Sequence, residues 1–412
     1  MNFKMNKILE RRLHVFLMVL AICSYGPIIL AKEIPAAPPF KPWVKQLIKD
    51  AKDRRIKPAV ISKALKGVKP ITRVIELDRR QPEFTLTFSA YFNRAVSNHR
   101  ISTGTAMLKQ HAKLLKKITA KYGVQPRFLI AFWGLESNYG QYTGTFPVIG
   151  ALVTLAHDRR RAKFFREQLL YALELMDLGH IPIGVKGSWA GAMGNHQFIP
   201  STYKSYAVDF DNDGKRDLWK SLPDIFASAA NYLSHAGWDG ERTWGREVRV
   251  PNGFNFGLSG LDVQKSVLDW SKLGLLRANG QRLPQVDLKA SLILPAGYQG
   301  PAFLVYKNYR TIMIWNRSQL YALAVGHLAD RIVGLKTLTR QPPIDDLPLK
   351  RKDMKTIQFL LKRRGIDTGE LDGIPGPKTR AAIRAYQKSV GLPPDGYPSK
   401  GLIKYLRTNL KN

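Results

Sequence analysis

The chain has 412 residues, with 65 Lys+Arg against 31 Asp+Glu and a formal charge of +34. Its 44% hydrophobic content excludes a disordered chain, its one cysteine excludes a disulfide scaffold, and its single long apolar stretch argues against a polytopic membrane protein. At about 100–200 residues per domain the length suits two or three domains, and the charge points to an anionic partner: nucleic acid, a membrane surface or an acidic polymer.

The apolar stretch lies at the start. Lys4, Lys7, Arg11 and Arg12 precede a mostly apolar run from Leu13 to Leu30, and Ala31 closes it. This is the layout of a secretory signal over residues 1–31. An uncleaved anchor helix is the alternative, but Gly26-Pro27 would interrupt it. A lipoprotein signal wants a small residue before its cysteine, and Ile22 precedes Cys23. Once the signal is removed no cysteine remains, which excludes thiol catalysis and zinc-thiolate sites. Residues 1–31 carry four bases and Glu10, a net of +3, so the rest of the chain keeps +31. Export points to the periplasm and argues against nucleic acid as partner.

Residues 35–42 (PAAPPFKP) read as a stiff spacer. From Trp43 to about Asp177 the spacing is helical: Trp43, Leu47 and Ile48 share one face, and Ile61 and Leu65 another, with Pro70 and Pro82 as punctuation. Residues 105–121 read as one amphipathic helix, and Pro126 opens a buried helix through Phe128–Leu135. A Gly-rich segment occupies 184–197, and a helix runs from Asp224 to His235, stopped by Gly237. Residues 246–314 have short apolar runs and a hairpin pattern, Phe303–Tyr306 and Thr311–Ile314 about a turn at Lys307-Asn308. Residues 317–334 return to helix. Residues 341–349 are a linker, and 350–412 a separate small unit.

The segment FWGLESNYG (132–140) is the strongest catalytic candidate. Glu136 follows an almost wholly apolar run. Desolvation there raises a carboxyl pKa, and a carboxyl protonated near neutral pH donates a proton to a leaving oxygen. The alternative is a helix-end Glu satisfied by backbone groups. Ordinary glycosidases need two carboxylates, yet the next acid after Glu136 is Asp158. One carboxyl without a mate suits a reaction in which a substrate hydroxyl is the nucleophile. In GSWAGAMGNHQFIPSTY (187–203), Gly187, Gly191 and Gly194 read as permitting close approach to a ligand. Ser188, Asn195 and Gln197 offer hydrogen bonds, Trp189 and Tyr203 offer flat faces for sugar rings, and His196 reads as lying behind the site. A tightly packed Gly/Ala turn is the alternative.

Together with DIFASAANYLSHAGW (224–238), these motifs resemble, over roughly residues 40–340, the membrane-bound lytic transglycosylase B family of peptidoglycan-cleaving enzymes, which implies a catalytic region at 32–340. The resemblance implies a mainly α (α+β) fold, a lysozyme-like helical catalytic domain with a small β element. It implies that Glu136 is the single catalytic acid/base and that Ser188 and Gln197 line the saccharide cleft. WNRSQLYALAV (315–325) resembles a later family segment, which places Asn316 and Tyr321 in the cleft; Trp315 stands where Tyr is usual. Tyr91, in YFNRAVSNHRI, matches an upstream cleft aromatic. The implied reaction is non-hydrolytic. It cuts the β-1,4 bond between N-acetylmuramic acid and N-acetylglucosamine and leaves 1,6-anhydromuramoyl ends.

DFDNDGKRD (209–217) places Asp209, Asp211, Asp213 and Asp217 at positions 1, 3, 5 and 9 of an EF-hand-type calcium loop, with Gly214 at position 6. Position 12 is Lys220 instead of Glu. The family resembled displaces its last acid toward the following helix, which makes Asp224 the candidate and Lys215 a ligand through its backbone carbonyl. Calcium would be structural, with no cofactor needed for the chemistry; a solvated Asp-rich turn is the alternative.

Residues 350–412 carry fifteen Lys+Arg against five Asp+Glu. IQFLLKRRGIDTGELDGIPGPKTRAAIRAYQKSVGLPPDG resembles the peptidoglycan-binding type 1 domain, a three-helix module, with Ile357, Leu360 and Leu361 on one face and Thr379 near a helix start. Such a module would hold a monomeric enzyme on peptidoglycan strands, with peripheral membrane or cell-wall machinery as further contacts. Two other readings remain: a catalytically silent wall-binding scaffold, and a hydrolytic muramidase with a second carboxylate from elsewhere in the fold.

Overall fold

The computed structural model describes residues 37–80, 86–343 and 346–408. The secretory-signal reading and Cys23 fall outside these residues, as does Pro82. Among the described residues no helix is long and apolar enough to cross a membrane.

Helix α1 (Phe40–Asp53) begins inside the stretch read as a spacer, because a proline in a first helical turn lacks only an N–H that has no helical partner. It packs with α2 (Pro58–Leu65) and α3 (Thr72–Arg80) through Leu47, Ile61, Leu65 and Val74. The expected single helix at 105–121 is two. After α4 (Phe88–Ala95), α5 (Asn98–Gln110) stops at His111 (φ −101°, ψ 15°), where α6 (Ala112–Tyr122) starts. The turn lets Leu115 and Ile118 reach a second core built on α7 (Pro126–Ser137).

A two-stranded ladder of β1 (Phe146–Pro147) and β2 (Lys186–Gly187) clasps the segments between the cores. Between them run α8 (Val148–His157) and α9 (Ala162–Asp177), whose apolar faces complete the first core. α10 (Pro200–Tyr206) follows, then α11 (Leu222–His235), capped by the Ser221 hydroxyl on the Asp224 N–H. Residues 245–305 form an antiparallel sheet of β3 (Gly245–Arg249), β4 (Lys265–Ser266), β5 (Leu276–Arg277), β6 (Lys289–Ile293) and β7 (Ala302–Val305), in the order β4-β6-β7-β3-β5. One short helix, α12 (Val267–Lys272), joins it and buries Trp270.

The expected hairpin at 303–314 is not formed. β7 pairs instead with β3 and β6, Val305 facing both Gly245 and Ser291. Thr311–Ile314 belong to helix α13 (Lys307–Trp315), because Tyr309 and Ile312, three apart, both reach the second core. α14 (Gln319–Ile332) then lies along α7 and buries Tyr321 through Ala329.

The C-terminal unit is α15 (Arg351–Lys362), α16 (Pro377–Ser389) and α17 (Lys400–Thr408) around Ile357, Leu361, Ile383, Tyr386 and Leu406. Gly376 caps α16, and Thr379 sits a turn inside, bonded to the buried Gln358 at 3.1 Å. This unit rests on the preceding one. Asp395 accepts the Tyr298 N–H at 2.9 Å, and Arg351 donates to the Arg79 carbonyl at 3.0 Å. The architecture is mainly helical with small antiparallel sheets.

Candidate active site

Every residue of α7 from Phe128 to Gly134 is buried, and Glu136 emerges half-buried in its last turn. The helix ends abruptly because Asn138 (φ 51°) and Tyr139 (φ 60°) both adopt left-handed backbone. Each such non-glycine residue costs about 1–3 kcal/mol unless its surroundings hold it. Here the Tyr139 hydroxyl donates to the Arg100 carbonyl at 2.6 Å, and the Gly140 N–H to the Ser137 hydroxyl at 2.9 Å. The turn is thereby held, and with it the exit of Glu136 from the helix.

Two donors converge on one oxygen of that carboxylate. The Trp315 indole N–H donates to Glu136 Oε1 at 2.8 Å, and the Tyr321 hydroxyl donates to the same atom. Burial, and then the Glu136 charge, push the Tyr321 phenol well above 10, so it stays a donor throughout the neutral range. Tyr91 lies near enough to Tyr321 to act on it electrostatically. Trp315 is boxed by Phe132 (4.6 Å between ring centres), Tyr232 (5.0 Å, stacked) and Phe198 (5.4 Å). Neither Trp315 nor Tyr232 stands out in the sequence as a site residue. Trp315 reads there only as a departure from Tyr, and Tyr232 as one aromatic of an amphipathic helix.

The Gly-rich segment packs against the turn after Glu136. The backbones of Gly144 and Gly187 meet so closely that a Cβ on Gly144 would sit 2.0 Å from the Gly187 carbonyl carbon. Gly191 and Gly194 likewise abut Leu152 and Leu218, so the space these glycines permit is filled by the protein and not by a ligand. Asn195, expected to face a ligand, is buried instead. It accepts the Trp133 indole N–H at 2.7 Å and donates to the Leu218 and Trp219 carbonyls at 3.1 and 2.9 Å. Tyr203 offers no face to a sugar, since it is fully buried with its hydroxyl on the Arg216 carbonyl. Trp189 is half-buried against the first core.

The Ser188 hydroxyl accepts the Ala190 and Ala192 N–H groups at 3.2 and 3.0 Å. Gln197 (φ 50°) donates to the Thr143 and Gly194 carbonyls at 3.1 and 2.9 Å, tying the segment to the Glu136 loop. Asn316 is exposed just after Trp315, its side-chain oxygen accepting the Ser318 N–H at 3.1 Å. His196 is 2% exposed, and its ring lies 6.0 Å from Trp315, edge to face. Burial pushes its pKa down to about 4, so the imidazole is neutral at pH 7.

Among the described residues, buried Asp78 and Asp330 and half-buried Asp158 are engaged elsewhere. Asp78 meets Arg160 and Arg161, Asp158 meets Arg79 at 2.7 Å, and Asp330 meets Arg127 and the Trp244 indole, each at 3.0 Å. In the acidic loop, carboxylate oxygens of Asp209, Asp211 and Asp213 lie within 4.8 Å of one another. Gly214 makes the turn at φ 84°, and Lys215 donates its N–H to Asp213 at 2.8 Å. This oxygen donor set fits a hard cation such as calcium. Asp224 is not one of that group of three, though Asp209 and Asp211 act on it electrostatically. It is fully buried, and its two oxygens accept the Phe210 and Asp217 N–H groups at 2.7 and 2.8 Å. Asp217 accepts from Trp219 and Lys220 at 2.8 and 3.0 Å.

The fold and this constellation have known counterparts. Residues 39–330 match the transglycosylase SLT domain, and residues 350–406 a putative peptidoglycan binding domain. The chain therefore belongs to the transglycosylase SLT domain family, the class of enzyme that the fold and site define. Among solved structures it is similar to SltB3 from Pseudomonas aeruginosa in complex with NAG-anhNAM-pentapeptide. The identity is 45% over 89% of this chain and 99% of that one, with a TM-score of 0.86. It is similar also to the Escherichia coli lytic transglycosylase Slt35 in complex with calcium, at 27% identity over 74% of this chain and 98% of that one, TM-score 0.63. The membrane-bound lytic murein transglycosylase B of Escherichia coli (strain K12) is 31% identical over 256 residues, 59% of this chain and 66% of that protein's length. These relatives bear out the expected mainly helical, lysozyme-like fold and the expected enzyme class.

Proposed function

We propose that the chain is a periplasmic lytic transglycosylase that cuts peptidoglycan between N-acetylmuramic acid and N-acetylglucosamine, with Glu136 as its single acid/base. The observation that carries this reading is the pair of donors on Glu136 Oε1 at the end of an apolar helix. Two donors on one carboxyl oxygen fix the direction in which the group faces substrate, so we assign proton transfer to Glu136. Glu136 protonates the glycosidic oxygen, the C1–O bond breaks, and the N-acetylglucosamine side leaves with a free 4-hydroxyl. The acetamido group of the muramoyl residue stabilises the positive charge at C1. Glu136, now a carboxylate, takes the proton of the C6 hydroxyl, whose oxygen closes on C1 to give the 1,6-anhydro end. Glu136 is thereby returned to its protonated form, and no water is consumed.

In this reading Tyr91, Ser188, Gln197, Asn316 and Tyr321 border the glycan cleft. Asp209, Asp211 and Asp213, with the Lys215 carbonyl and with Asp224 behind them, hold a structural calcium ion; the similar Slt35 was solved in complex with calcium. The C-terminal unit keeps a monomeric enzyme on the wall, and its excess of positive charge suits a polymer with acidic peptide stems.

Digestion of purified peptidoglycan by the wild type and Glu136→Gln, with fragment masses as readout, tests the proposal. Ends lighter by one water than hydrolysis products are expected from the wild type, and none from the variant. Reducing ends would make the protein a muramidase. Intact glycan with retained wall binding would make it a scaffold.

A further inference from the structure

The C-terminal unit does more than rest on the preceding one. Between them lies a cavity of about 480 Å³, walled on one side by α16 and on the other by the turn between α13 and α14. Three guanidinium groups line it: Arg380 and Arg384 from α16, and Arg317 from the turn. Among the described residues none of the three has a carboxylate within 4.0 Å. Among the described residues Arg380 donates its Nε–H to the Pro375 carbonyl at 3.2 Å. Two acids share the walls. Asp395 is committed to the Tyr298 and Tyr397 N–H groups and the Gln387 amide, and Asp262 lies near both Arg384 and Arg310. Burial presses the pKa values of Arg380 and Arg384 down, against the opposing pull of Asp395 on both and of Asp262 on Arg384, so both are cations held partly out of water. Guanidinium groups so placed are receptors for carboxylates.

The cavity is also joined to the active site by the chain itself. Trp315 and Tyr321 both donate to Glu136, and residues 317–320, which run between them, form part of the cavity wall. A ligand here is therefore read by the turn that holds the catalytic carboxylate. Resting on the function proposed above, we propose that this interdomain cavity binds a carboxylate of the peptide stem of peptidoglycan while the sugar chain lies in the Glu136 cleft. The stem branches from the muramoyl residue whose C1 reacts, so its receptor must border the cleft. The C-terminal unit is then a specificity element for substrate as well as a tether.

The test uses the full chain on two substrates, glycan strands with their stems and strands stripped of stems. Removing one charged hydrogen-bond partner is worth roughly tenfold in binding. Arg380→Gln and Arg384→Gln should each raise KM about tenfold on stem-bearing strands and leave KM on stripped strands unchanged, with melting temperatures near wild type. Amidating the stem carboxylates should reproduce the rise with wild-type protein, which keeps the question open to test if a variant folds poorly. An equal rise on both strand types, or no rise on either, overturns the proposal, as does an unchanged KM for amidated stems. Anhydro ends released from stripped strands keep the lyase reading standing whichever way the stem result falls.

Discussion

Trp315 and Glu136 are 179 residues apart in the chain, yet the indole N–H of one lies 2.8 Å from Oε1 of the other. Tyr321 adds a second donor to the same oxygen. A hydrogen bond to a charged group is worth about 1.5–3 kcal/mol. Trp315→Phe and Tyr321→Phe should therefore each lower kcat about 10- to 100-fold with the fold intact. Because both act through one atom, the double variant should lose less than the product of the two. Unchanged kcat in both single variants would remove them from the positioning of Glu136.

Asn195 joins the Glu136 helix to the acidic-loop side of the molecule through three buried hydrogen bonds. Asn195→Ala leaves the Trp133 indole and two carbonyls without it. The expected loss is about 2–4 kcal/mol of unfolding free energy, read by denaturant titration. A loss below about 0.5 kcal/mol, the scale of an ordinary surface change, would show that the strut is dispensable.

Calcium should raise the melting temperature if the Asp209, Asp211 and Asp213 cluster holds it. At a hundredfold excess over Kd the gain is about 2.7 kcal/mol. Asp211→Asn and Asp213→Asn should abolish the shift. Asp224→Asn should lower stability with or without the ion, because that carboxylate serves the Phe210 and Asp217 amides. A wild-type melt indifferent to calcium would sink the site.

His196 ties stability to pH. Burial lowers its pKa from 6.5 to about 4, so between those values the unfolded chain binds a proton that the folded chain refuses. Stability is fully present above pH 6.5 and falls as the pH drops toward 4, by about 3 kcal/mol for this group. His327, lowered to about 4 by burial and then by Arg331, adds a share of the same sign. Denaturation at pH 7.5, 5.5 and 4.5 should show the decline, with a shallower slope in His196→Asn. An equal slope in that variant would assign the decline to other groups.

Much was readable before any fold was known. α7 was legible because Pro126 and an unbroken apolar run announce a buried helix. The first C-terminal helix is legible because Ile357, Leu360 and Leu361 fall on one helical face. The segment 311–314 reads as a strand yet folds as a helix because Thr-Ile-Met-Ile suits either by local preference. The second core decides it, since only a helix brings Tyr309 and Ile312 to the same face. Asn195 and Tyr203 read as ligand-facing for a related reason. A polar or aromatic residue in a Gly-rich loop carries no local mark of whether it faces solvent or neighbouring backbone.

By itself the sequence determined the chemistry on offer: one carboxylate after an apolar helix, alternating acids around a glycine, a basic three-helix tail. These are local patterns, set by residue type and short spacing. The tertiary structure alone decided which groups those residues meet. It set Trp315 and Tyr321 on Glu136 Oε1, tied both Asp224 oxygens to backbone amides, and left three arginines facing a cavity between two units. Hydrogen-bond partners and burial depend on how distant segments close on one another, and that closure is set by the packing of whole cores rather than by any short run of residues.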